Sequence, residues 1–81
     1  MKHYTFYPQG VCSTRIDLDI DAGAVHNVAY TDGCDGNLKA LGALVEGMKV
    51  DDVIKRLHGI RCGQSNTSCS DQLARALMST K

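Results

Sequence analysis

Four cysteines in a chain of 81 residues are the side chains best able to do chemistry. Each lies beside a glycine or a serine and outside any Val, Ile or Leu run, so packing alone does not account for them. They are Cys12, Cys34, Cys62 and Cys69. Cysteines in such turn-like segments can gather around a metal ion, exchange electrons or line a ligand pocket.

Metal binding is the first interpretation of these cysteines. Four thiolates match the tetrahedral preference of zinc, with bonds of about 2.3 Å, and iron accepts the same ligand set. The spacing is less specific than the number, because the intervals of 22, 28 and 7 residues contain no Cys-x-x-Cys pair. Free cysteines also occur as small apolar core residues, which is the structural alternative.

A small-molecule pocket is the second interpretation, and a thiol-redox role is the third. Two cysteines stand where helices are predicted to begin, and helix N-termini attract anions and favour thiolates. A nucleotide or a flavin would fit there, and Cys62 with Cys69 would suit a redox pair. The candidate cofactor-binding residues are Gly36, Asn37, Ser68 and Ser70.

In the first third of the chain, apolar and polar residues alternate with the two-residue period of β-strands. Ile16, Leu18 and Ile20 alternate with charged residues, which is typical of a strand with one buried face. A turn signal follows at residues 21–23, and the imperfect alternation from Val25 to Tyr30 allows a bulge. We predict three antiparallel strands in residues 2–31.

In the rest of the chain, apolar residues recur at the spacing of α-helices. We therefore predict three helices in residues 37–81. Asn37, Asp51 and either Ser68 or Cys69 are the expected N-caps, and Ser68 with Asp71 has the spacing of a capping box. The fold class is therefore α+β. It comprises a small three-stranded antiparallel sheet followed by three helices packed on one face, as a single domain over residues 1–81.

The order of the elements predicts where the cysteines meet. The second strand leaves Cys12 and the third returns toward Cys34, while the first helix leaves and the second returns toward Cys62. Cys69 follows seven residues later. Short connections between antiparallel neighbours then place all four cysteines at one end of the domain.

The composition of the chain argues against two classes of protein, those that bind nucleic acids and those that span membranes. Nine basic and nine acidic residues give zero formal charge, which argues against nucleic-acid binding. No apolar run is long enough to cross a membrane, and the N-terminus lacks an apolar signal-peptide segment, so we expect a cytoplasmic protein without a membrane partner. The edges of a three-stranded sheet and the zero charge favour a homodimer.

Five stretches, taken together, resemble a known family. They are Gly10-Val11-Cys12-Ser13, Gly33-Cys34-Asp35-Gly36-Asn37-Leu38, Leu44-Val45-Glu46-Gly47, Gly59-Ile60-Arg61-Cys62-Gly63 and Thr67-Ser68-Cys69-Ser70-Asp71-Gln72-Leu73. They resemble the small four-cysteine TSCPD-domain family over nearly the whole chain. The family motif reads Thr-Ser-Cys-Pro-Asp, and Ser70 stands here where the family has proline.

Related domains occur at the C-terminus of cobalamin-dependent ribonucleotide reductases. The resemblance therefore implies an accessory role near nucleotide reduction, with a protein partner or a small-molecule ligand. It does not imply a complete enzyme, because ribonucleotide reduction needs a radical barrel far larger than this chain. We expect the four cysteines to bind zinc or iron, with the nucleotide, flavin and thiol-redox interpretations kept as alternatives.

Overall fold

A computed structural model describes all 81 residues and has the predicted order of elements. The strands are β1 (Lys2–Phe6), β2 (Arg15–Asp21) and β3 (Ala24–Thr31), and the helices are α1 (Asp35–Val45), α2 (Val50–Leu57) and α3 (Cys69–Ser79). The strands form one antiparallel sheet in the order β1-β2-β3. The predicted α+β fold is confirmed. None of the three helices is long and apolar enough to span a membrane.

Alternation along β2 separates the two faces of the sheet. Ile16 and Leu18 are fully buried, whereas Asp17 and Asp19 lie on the opposite face. The register with β3 shifts between Asp17 and Asp19, and Asn27 adopts a positive φ of 56° opposite this shift. The bulge expected in the third strand is therefore present, and it keeps the apolar residues of β3 directed at the core.

Two of the predicted helix N-caps are wrong, one by three residues and the other by two. Helix α1 begins at Asp35 with Cys34 as its N-cap, so Asn37 lies in the first turn. Helix α2 begins at Val50 with Lys49 as its N-cap, so Asp51 also lies inside the helix. The side chains of Cys34 and Lys49 make no capping hydrogen bond. The preferences for capping residues therefore could not locate these two helix starts.

The core lies between the sheet and the helices. Its centre is a cluster of eight buried residues, to which all three helices and the two strands β2 and β3 contribute. Gly42 allows α1 to approach β3 closely, because a Cβ there would lie only 2.9 Å from the Val28 carbonyl oxygen. The start of β3 is covered on its outer edge, where Val25 exchanges backbone hydrogen bonds with Gly47 and Met48.

Candidate functional site

The segments that carry Cys12 and Cys34 are joined where β2 begins and β3 ends. The Thr14 amide donates to the Thr31 carbonyl at 2.9 Å, and the Thr14 hydroxyl donates to the Asp32 carboxylate at 2.7 Å. A Cβ at Gly33 would lie 3.4 Å from the Ser13 amide nitrogen. Both cysteines are exposed.

Helix α3 brings Cys69 to the same end of the sheet. The Cys69 sulfur lies 3.5 Å from the Ser13 hydroxyl, and the Tyr30 hydroxyl donates to the Cys69 carbonyl at 2.8 Å. Burial of the Tyr30 ring raises the pKa of its phenol, with a smaller contribution from the neighbouring Cys69. Tyr30 is therefore a neutral donor that fixes the first turn of α3 against β3.

The loop between α2 and α3 carries Cys62. Its amide donates to the Thr67 carbonyl at 3.1 Å, and its carbonyl accepts from the Ser65 amide at 3.0 Å, which folds the loop back toward Cys69. A Cβ at Gly10 would lie 3.4 Å from the Thr67 side chain. We call the junction of residues 10–14, 31–35, 60–63 and 67–70 the cysteine pole.

Four segments meet at the cysteine pole, but the four cysteines are scattered over them and do not form an assembled metal site. Three of its cysteines are exposed and Cys69 is half-buried. No group of three or more His, Cys, Asp or Glu side chains is arranged to hold a metal ion. A tetrahedral set would require the sulfurs to lie within about 4 Å of one another. Ligation by Cys12, Cys34, Cys62 and Cys69 therefore stays a prediction.

A buried carboxylate behind the cysteine pole was missed by the sequence reasoning. Asp71 is fully buried and accepts three hydrogen bonds, from the Gly59 amide at 2.7 Å, the Thr67 hydroxyl at 2.5 Å and Arg75 Nε at 2.8 Å. It thereby ties the end of α2 and the Cys62 loop to α3. The capping-box spacing marked Asp71 only as a helix-start residue.

These hydrogen bonds also determine the charge of Asp71. Burial alone would raise the pKa of the Asp71 carboxyl, but the donors from Thr67, Gly59 and Arg75 outweigh burial and lower it to about 2. The carboxylate is therefore ionised at neutral pH. It is a structural anion that holds the Cys62 loop in place.

The four candidate cofactor-binding residues lie at the starts of two different helices, α1 and α3. Gly36 and Asn37 are exposed in the first turn of α1. Ser68 is nearly buried: its hydroxyl donates to the Ile60 carbonyl at 2.6 Å and accepts from the Asp71 amide at 3.0 Å, as the predicted N-cap. The Ser70 hydroxyl lies 3.0 Å from that of Ser68. A role for these residues in cofactor binding stays a prediction.

A small cavity of about 240 Å³ opens beside the cysteine pole. It is lined on one side by Tyr30, Asp32 and Gly33, and on the other by the start of α1. Pockets for drug-sized ligands usually measure roughly 300–1,000 Å³. The space next to Cys34 is therefore smaller than a typical site for a nucleotide or a flavin.

A second polar network lies on the opposite face of the sheet, away from the cysteines. Asp19 Oδ1 lies 2.8 Å from His3 Nδ1, and the Asn27 side-chain amide donates to Asp19 Oδ2 at 2.9 Å. Asp17 accepts from the Thr5 hydroxyl at 2.7 Å and from Arg15 Nε at 2.8 Å. Residues on this face pair with one another across the strands.

Comparison with known proteins adds one finding. The TSCPD domain family matches residues 2–81, and the chain therefore belongs to this family. The match includes all four cysteines and the Asp71 network. Neither a curated protein nor a solved structure gives a significant match.

Proposed function

Because the chain is a TSCPD domain, we propose that it is a small accessory module that binds one zinc or iron ion through its cysteine pole. Cys12, Cys34, Cys62 and Cys69 would be the ligands. The observation that supports this proposal is the series of contacts that links the four cysteine-bearing segments, from Thr14–Asp32 through Ser13–Cys69 to Cys62–Thr67.

The four cysteines differ in how firmly the fold holds them. Cys69 is the most constrained, because α3 is capped by Ser68 and its first turn is held by the Tyr30 hydroxyl. Cys12 and Cys62 lie in loops, outside helices and strands, and Cys34 caps α1. Cys69 would therefore act as the fixed ligand around which exposed thiols gather, and the bound metal would cross-link the two halves of the chain.

The metal proposal is tested by loading and removing the ion. We expect purified protein to hold one equivalent of zinc or iron, and cobalt substitution to give the absorption of tetrahedral thiolate ligation. A chelator should lower the melting temperature, since metal-binding energy is folding energy in such small domains. Protein that binds neither zinc, iron nor cobalt would contradict the proposal.

Single variants identify the ligands. Each of Cys12→Ser, Cys34→Ser, Cys62→Ser and Cys69→Ser should lower the bound metal and the melting temperature. Ser65→Ala is the matched control, because it changes the same loop and leaves every sulfur in place. Thiol titration after chelation separates this function from a redox role: four free thiols are expected for a metal site, and two for a protein with a Cys62–Cys69 disulfide.

Membership of the TSCPD family supports an accessory role for the module. We infer that the module serves a protein partner and does not carry out a complete reaction, with ribonucleotide reductase as the class of partner that the family resemblance implies. Co-purification of the metal-loaded protein with a reductase from the same organism, and its loss in the Cys69→Ser variant, would support this role. Unchanged co-purification would separate partner binding from the metal.

A further inference from the structure

An apolar groove lies between α1 and α2. It encloses about 490 Å³ and is lined by six apolar residues and Arg56. Val53 is fully buried at its base, whereas Leu44 on its rim is 75% exposed, more than any other large apolar side chain of the protein. An exposed leucine beside an apolar groove is a surface suited to a partner.

The charges along α2 are arranged so that a second copy could complement them. The first turn carries Asp51 and Asp52, and the last turn carries Lys55 and Arg56. Asp52 and Arg56 are four residues apart and so share one side of the helix. Neither takes part in an ion pair within the chain.

We propose that this groove is a self-association surface and that its occupant is a second copy of the chain. Two copies pack about a two-fold axis with their α2 helices antiparallel. Asp52 of each copy then faces Arg56 of the other, and each Leu44 enters the groove of the other copy. A two-fold interface must be self-complementary, and a helix that is acidic at one end and basic at the other meets this requirement.

The groove is a better candidate than the sheet edges that the sequence suggested. Residues 47–50 already cover the start of β3 through hydrogen bonds to Gly23 and Val25. The other edge, β1, is only five residues long and carries Lys2 and His3, both exposed. Short edges with charged side chains resist pairing between molecules.

The principal test changes Leu44. We expect the wild-type protein to be a dimer by light scattering and sedimentation equilibrium. Leu44→Glu should weaken dimerisation by about 100-fold or more, because a charge replaces an apolar contact twice in each dimer. The matched control is Met78→Glu, a 46% exposed apolar side chain on α3, which should leave the dimer intact. Circular dichroism of diluted Leu44→Glu should show an unchanged fold.

Charge reversal tests the antiparallel arrangement. Asp52→Arg and Arg56→Asp should each weaken the dimer by about tenfold, and the double variant should restore it because the opposed charges are exchanged. Three outcomes would overturn the proposal: a monomer at millimolar concentration, a dimer insensitive to Leu44→Glu, or a double variant no tighter than the single ones. Metal content should be the same in all these variants, so this result is independent of the cysteine pole.

Discussion

Asp71 and Asp19 each accept hydrogen bonds from neighbouring side chains, but they lie at very different depths in the protein. Asp71 is fully buried between the end of α2, the Cys62 loop and α3. Asp19 lies on the open face of the sheet, where its partner His3 has a side chain that is 58% exposed. Both carboxyl pKa values are lowered.

The physical consequences of the two carboxylates differ because the side chain of Asp71 is fully buried, whereas that of Asp19 is partly open to water. The Gly59 amide, the Thr67 hydroxyl and Arg75 all lose their acceptor if the buried carboxylate is removed. The groups around Asp19 can exchange their partner for solvent. The Asp71 network therefore controls stability, whereas the Asp19 network controls mainly the titration of His3.

The largest expected effect is that of removing the buried carboxylate. Asp71→Ala should lower the free energy of unfolding by about 2–3 kcal/mol, because it removes the buried acceptor of three hydrogen bonds, one of them from Arg75. Urea denaturation measures this loss. The control is Asp35→Ala, whose exposed carboxylate pairs with Lys39 and should contribute less than about 0.5 kcal/mol. Equal losses in the two variants would contradict the contrast between buried and exposed networks.

Sequence patterns anticipated the elements of the fold better than this network. The alternation of Ile16, Leu18 and Ile20 predicted β2, because burial of one sheet face imposes a two-residue period. The capping-box spacing correctly identified Ser68 as the cap of α3. Asp71 lies in the same motif, yet it accepts a hydrogen bond from Gly59, twelve residues earlier, and no local sequence pattern predicts that contact.

The candidate site was only partly predictable from the sequence. The order of the elements predicted that all four cysteines lie at one end of the domain. The structure joins Ser13 to Cys69 there, but the four cysteines themselves are mostly exposed and scattered. Where each sulfur points depends on loop conformations that are set by single hydrogen bonds, such as that between Cys62 and Thr67. Periodicity contains no information about such loops.

The second prediction concerns the acid sensitivity of the fold. The pKa of Asp71 is lowered from 3.8 to about 2, so the folded state binds this proton less readily than the unfolded state. The stabilisation is therefore complete above about pH 4 and is lost as the pH falls toward 2. We expect the urea midpoints of the wild type and of Asp71→Asn to converge over this range. A constant difference between them would mean that the charge of Asp71 does not stabilise the fold.

The smallest expected effect belongs to the exposed network and is measured on His3 itself. Its hydrogen bond with Asp19 is the largest contribution that raises the imidazole pKa above 6.5, with Asp17 adding to it. The associated stabilisation is present below pH 6.5 and is lost as the pH rises through the folded pKa. Solvent and salt screen it, so denaturation curves should barely register it.

Nuclear magnetic resonance titration of the His3 ring can resolve this effect. Asp19→Asn should return the pKa of His3 toward 6.5, and Asp17→Asn should lower it less, because the Asp19 hydrogen bond contributes more. Asp21→Asn is the matched control, since that carboxylate lies 3.7 Å from the N-terminal amine and not beside His3. A His3 pKa that is unchanged in Asp19→Asn would show that the exposed network does not control the titration of His3. The two carboxylates would then differ even more in their effect on the protein.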